Sequence, residues 1–221
     1  MVKPFLFLFM TIYYFSLFSQ TEKLEEKENV PKDQLDSLIG KFGFGKTVPD
    51  DYALAFYTAL SHFPELDSSQ ITFKEARIKT TLNARPTFAS LLFRKRTKRK
   101  YVIRINTRNR DSLILLEDVP FEARIGLFGH ELTHFWDYRQ RSFGGVLKRL
   151  FSYSSLNGKE KFEKEIDSMT VLNGLGKQLH AWSNYVLNES KGSAKYKAYK
   201  KLVYLEPEEI LKLIEDLENF K

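Results

Sequence analysis

The stretch FGHELTHFWDY, Phe128 to Tyr138, carries two of the four histidines of the chain, four residues apart, with a glutamate directly after the first. It lies inside EDVPFEARIGLFGHELTHFWDYRQ, Glu117 to Gln140. Pro120 suits a first helical turn, and Glu117, Asp118 and Glu122 suit the positive end of a helix. Ile125, Phe128, Leu132 and Phe135 form one apolar stripe, so the segment is predicted as an amphipathic helix. Gly126, His130, His134 and Tyr138 succeed one another at steps of four on another face. The stretch therefore sets a core-forming helix with two imidazoles beside its apolar seam.

On a helix, residues i and i+4 lie above one another, turned by about 40°. Both rings of HELTH can then reach one metal ion. Glu131 sits about 60° round from His134, near enough to touch a metal-bound water without ligating the metal. This is the logic of HExxH, with two ligands and a base beside the water. Three fixed positions arise by chance in roughly one random chain in a few hundred, so the context has to contribute.

A metal site of this kind needs a third protein ligand. The chain has no cysteine, and FWDYRQRSFGG after His134 holds no further histidine. A carboxylate on a later helix is the economical source. FEKEIDSM, from Phe162, supplies Glu163 and Asp167 four apart on one face. One can ligate while the other holds a histidine through its free ring nitrogen. Glu165 is a rival ligand that lacks the i+4 partner. By itself the segment also reads as a solvated face of Glu–Lys pairs.

HExxH followed on a later helix by E-x-x-x-D resembles the gluzincin metallopeptidases. The resemblance implies one Zn²⁺ per chain held by His130, His134 and Glu163, with Glu131 as general base and Asp167 supporting a histidine. It implies a zincin-like α+β fold, with a peptide or protein as substrate. It covers the motif residues and the order strands, active-site helix, ligand helix, and not the N-terminal third or the C-terminal helix. In that group an edge strand beside the active-site helix pairs with extended substrate; YVIRIN, with Tyr101, Ile103 and Ile105, is the expected strand. Tyr153, His180 and Tyr185 are the candidates for a residue that steadies the transition state. His180 lies seventeen residues past Glu163, about 260° round an unbroken helix, which favours a core or surface role.

The rest of the 221 residues fit one domain with a sizeable core. Lys3, the apolar run Pro4 to Ser19 and the polar sequence after it have the layout of a secretory signal, or of a short N-terminal anchor. The expectation is an exported protein, periplasmic, extracellular or on the outer face of a membrane. Residues 20–49 read as a polar arm or tether, and 50–221 as the single domain. A helix is expected over Asp50 to Phe63, with His62 in a surface or packing role. Three antiparallel strands are expected over Ile71 to Leu82, Thr87 to Arg94 and Lys100 to Asn106, with Ser112 to Leu116 as a fourth or as a lead into the next helix. The C-terminal half is expected to be mostly helical, with Gly174 and Gly176 ending, kinking or closely packing a helix.

The formal charge is +7, much of it in RKRTKRK, Arg94 to Lys100. Such a run suits a solvated turn, an anionic surface or an acidic partner. Nucleic acid is the weaker expectation, since no nucleic-acid motif accompanies the run. Two readings compete with a zinc peptidase. One is a zinc-binding hydrolase of another bond, or a pseudo-enzyme. The other is a metal-free basic envelope or nucleic-acid-binding protein.

Overall fold

A computed structural model describes residues 32–108 and 113–219. Contacts divide the chain into two compact units, Met1–Ser37 and Leu38–Lys221. Of the first, only residues 32–37, the start of helix α1 (Lys32–Phe42), are described. The expected signal or anchor at 1–19 lies outside the described residues. The second unit contains the sheet and both motif-bearing helices.

The fold is α+β, with a four-stranded mixed sheet and a mostly helical C-terminal half. The strands are β1 (Lys46–Thr47), β2 (Gln70–Ala76), β3 (Leu82–Pro86) and β4 (Lys100–Asn106), in the order β1-β2-β4-β3. β2 is parallel to both β1 and β4; only β3 and β4 are antiparallel. The expected all-antiparallel sheet is therefore corrected to a mixed one. Residues 46–47, read from the sequence as part of an arm, pair with the sheet.

The strand boundaries also differ from expectation. The expected separator Leu82–Pro86 is itself a strand, and Thr87 to Arg94 is not: Phe88–Phe93 forms a short helix, α3. Ala89, Leu91 and Leu92 favour helix once no long strand partner is at hand. The buried Ser90 hydroxyl accepts the Lys100 amide at 3.0 Å, anchoring α3 to the start of β4. Pro86 is tolerated in β3 because this strand forms one edge of the sheet.

Helix α2 (Asp50–Leu60) and helix α4 (Phe121–Gln140) pack against one another. Phe56 of α2, Phe73 of β2 and Phe128 of α4 meet edge to face, with centroids 5.1 to 5.9 Å apart. Tyr101 of β4 lies against Phe135 of α4 at 4.3 Å. The apolar stripe of α4 is thus spent on α2 and the sheet, which leaves the histidine face for other helices. Leu116–Asp118 is a short 3-10 turn leading into α4.

After α4 come α5 (Phe143–Ser152) and α6 (Leu156–Thr170). A π-helical segment, Val171–Leu175, then joins α6 to α7 (Gly176–Asn184). Gly174 kinks that segment with φ +85°, a left-handed conformation that favours glycine. Nδ1 of His62 packs there, 2.9 Å from the Asn173 carbonyl oxygen. A second π-helical segment (Tyr185–Glu189), α8 (Ala194–Val203) and α9 (Pro207–Asn219) complete the unit.

Candidate metal centre

His130 and His134 leave α4 toward α6, where Glu163 is buried at the facing position. Nε2 of His130 and Nε2 of His134 are 3.2 Å apart. Oε2 of Glu163 lies 3.2 Å from the first and 3.3 Å from the second. A tetrahedral cation bound through bonds of about 2.0 Å would set neighbouring ligand atoms about 3.3 Å apart. The three atoms therefore outline one face of such a site. Oε2 is buried and accepts no well-formed hydrogen bond from either ring. A buried carboxylate oxygen without a donor is costly, and a cation at this face would remove the cost. The three residues are a buried group that could hold a metal ion.

The other atom of each of two ligand groups is tethered. His130 donates Nδ1–H to Oδ1 of Asp167 at 2.7 Å. Since the carboxylate only accepts, this bond makes Nδ1 a protonated nitrogen and turns Nε2 to the group. Oδ2 of Asp167 accepts the Leu205 amide at 2.9 Å. Tyr153 donates its hydroxyl to Oε1 of Glu163 at 2.8 Å. Nδ1 of His134 has no hydrogen-bond partner among the described residues; its ring packs edge-on against Phe162 at 5.4 Å.

Burial would raise the Glu163 carboxyl, yet His130 and His134 bring it well below the usual range. Burial would lower His130, and the Asp167 and Glu163 carboxylates reverse this, raising it to about 10. Glu131 is raised, chiefly by burial, with the two imidazoles opposing.

Glu131 lines a small cleft. It shares that cleft with His130, Thr80, Thr81, Leu82, Lys200 and Tyr204, among others. Its carboxylate makes no hydrogen bond among the described residues. Tyr204 and Lys200 are not distinguished in the sequence: they sit at the end of α8, in a run of tyrosines and lysines. The Lys200 ammonium lies 3.9 Å above the Tyr204 ring, and that ring is 5.6 Å from His130. Burial, reinforced by the Glu163 charge, keeps the Tyr204 hydroxyl protonated far above neutral pH.

Other expected site residues lie elsewhere. Glu165, the rival ligand, forms a two-pronged ion pair with Arg149. Tyr185 donates to the Asp118 carbonyl at 2.8 Å, and neither it nor His180 lines the cleft. Tyr153 touches the carboxylate of Glu163 rather than the cleft. The expected substrate-edge strand is corrected: β4, with Tyr101, Ile103 and Ile105 buried, is interior and paired on both sides. Among the described residues the sheet edge on this side is β3, whose first residue, Leu82, lines the cleft. Periodicity reports a strand's faces and not its neighbours, so the β2–β4 pairing that places β4 inside left no mark in the sequence.

No protein-family model matches this chain, and comparison with curated proteins and with solved structures finds no match. The fold and site define an α+β chain with a buried His–His–Glu group beside a cleft that also holds a glutamate.

Proposed function

We propose that this chain is a zinc-dependent peptidase of gluzincin type, with a zincin-like arrangement of sheet, active-site helix and ligand helix. One observation carries the reading. Three ligand atoms stand at the spacing of a tetrahedral face, while Glu131, next to them on α4, lines the cleft with no hydrogen-bond partner of its own. His130, His134 and Glu163 would hold the metal. When bound, zinc would polarise the scissile carbonyl and acidify a water.

Glu131 takes a proton from the attacking water and passes it to the leaving amine. Burial raises its carboxyl toward the range a general base needs. Tyr204 is the hydroxyl donor in the cleft, suited to the oxygen that gains charge. The edge of β3 receives an extended peptide by backbone pairing. The apolar run at 4–19, outside the described residues, supports export. No helix among the described residues is long and apolar enough to cross a membrane.

The test begins with metal content, measured by mass spectrometry on protein made without a histidine tag. One zinc per chain is expected, with loss in Glu163→Ala. Hydrolysis of denatured protein and short peptides is then expected to vanish in Glu131→Gln with zinc retained. Tyr204→Phe should lower turnover with metal content unchanged. Proteolysis that persists in Glu131→Gln overturns the mechanism, and a parent chain that takes up no zinc overturns the centre.

A further inference from the structure

A second surface, separate from the metal centre, combines two features that single positions do not explain. Helix α3 exposes Phe88, Leu92 and Phe93 at 77%, 42% and 84%. One exposed leucine is ordinary; three large apolar side chains in six residues point to a contact surface. Arg94, Lys95, Arg96 and Lys98 come directly after and are exposed. None of these four joins an ion pair among the described residues.

The basic turn is held in place. Arg99 is buried and donates to the carbonyls of Tyr138 and Arg141 at 2.6 and 3.0 Å. Arg139 donates to the Thr97 carbonyl at 2.8 Å. The turn is thereby fixed to the C-terminal end of α4, from which α5 departs. On α5, Phe143, Leu150 and Phe151 are exposed, the last at 71%. With the half-buried Leu147 they fall at positions 0, 4, 7 and 8 of one helical stripe. Helix α3 thus holds apolar side chains in water directly beside a fixed basic turn, and α5, which starts beyond the end of α4, carries a further exposed apolar stripe.

We infer that this surface docks on an anionic phospholipid bilayer. Phe88, Leu92 and Phe93 enter the headgroup–acyl boundary, and Arg94, Lys95, Arg96 and Lys98 meet the lipid phosphates. Nucleic acid also binds aromatic rings beside cations, by stacking. Here, however, the rings alternate with Leu92, Leu147 and Leu150, which cannot stack on bases but are at home in hydrocarbon. The inference stands apart from the peptidase reading and needs no metal.

The chain contains no cysteine, so a single introduced thiol can carry an environment-sensitive fluorophore in the full chain. The label is placed at Leu92→Cys, with a control at Lys212→Cys on α9. Each protein is mixed with vesicles of phosphatidylcholine alone, or of equal parts phosphatidylcholine and phosphatidylglycerol. Expected is a several-fold, blue-shifted rise at position 92 on the anionic vesicles only, absent at position 212 and reversed by salt. Adding Arg94→Ser, Lys95→Ser and Lys98→Ser should remove it. A label at position 92 that stays as wet as the control overturns the inference, even if the chain is carried to vesicles by another segment. So does a response to single-stranded RNA or heparin without one to vesicles.

Discussion

The Tyr153 hydroxyl lies 2.8 Å from Oε1 of Glu163, at the one carboxylate oxygen that does not face the two histidines. The bond ties the end of α5 to α6 and sets which oxygen of Glu163 points inward. Burial and the Glu163 charge raise the Tyr153 hydroxyl, so it remains a donor at any working pH. Tyr153→Phe should weaken metal binding by about 10- to 100-fold, the usual cost of losing a group that orients a ligand. Competition against a chelator measures it; unchanged affinity would mean that packing alone orients Glu163.

Asp167 joins His130 on one side to the Leu205 amide on the other. Asp167→Ala leaves two buried N–H groups without an acceptor, at about 1–3 kcal/mol each. Urea unfolding with chelator present should therefore show a loss of at least about 2 kcal/mol. Asp167→Asn keeps one acceptor oxygen and should fall between the two. A loss that appears only when metal is supplied would sink this account, because both bonds exist without metal.

Two glycines of α4 face different neighbours. A Cβ on Gly126 would stand 2.0 Å from the Gln178 carbonyl oxygen and 2.7 Å from the Leu179 nitrogen, both backbone atoms of α7. A Cβ on Gly129 would meet the Leu175 Cδ1 atom at 2.6 Å, the far end of a side chain. Gly126→Ala should force α7 off α4 and cost about 3 kcal/mol or more, with Gly129→Ala nearer about 1 kcal/mol. Thermal unfolding of the pair checks the order, which matters more than either value.

Arg149 spans Asp137 of α4 and Glu165 of α6, and its guanidinium lies 4.7 Å from the centre of the Phe162 ring. The Arg149 hydrogen bonds hold the Glu165 carboxyl below its usual range. A carboxyl lowered in the folded chain adds stability that is full above its unfolded value, near 4.5, and fades as pH falls through the folded one. Glu165→Gln should therefore be less stable than the parent at neutral pH by about 0.5 kcal/mol, since the pair is partly exposed. The gap should close on acidification below pH about 4.5. A gap that stays constant down to acid pH would assign the effect to packing.

Local periodicity accounts for what was legible in the sequence. The i, i+4 spacing of His130 and His134, and of Glu163 and Asp167, comes from helix geometry, and each pair lies on the face that geometry requires. The stripe Ile125, Phe128, Leu132 and Phe135 foretold which side of α4 enters the core. Phe88–Phe93 misled because six residues hold less than two helical turns, too few for a period to outweigh Thr and Phe at the start of the segment.

The sequence by itself determined the histidine-bearing helix, the two i, i+4 pairs and the α+β composition, because each depends on residues within about one turn of one another. Only the tertiary structure decided that β3 and not β4 is the sheet edge on this side, since strand order rests on pairing between distant segments. Tertiary contacts also brought Tyr153 onto Glu163, Tyr204 and Lys200 to the cleft beside Glu131, and Arg99 out of the basic run into the end of α4. Those residues come from loops and helix ends, where side-chain direction is set by what packs against them and no repeating spacing records it.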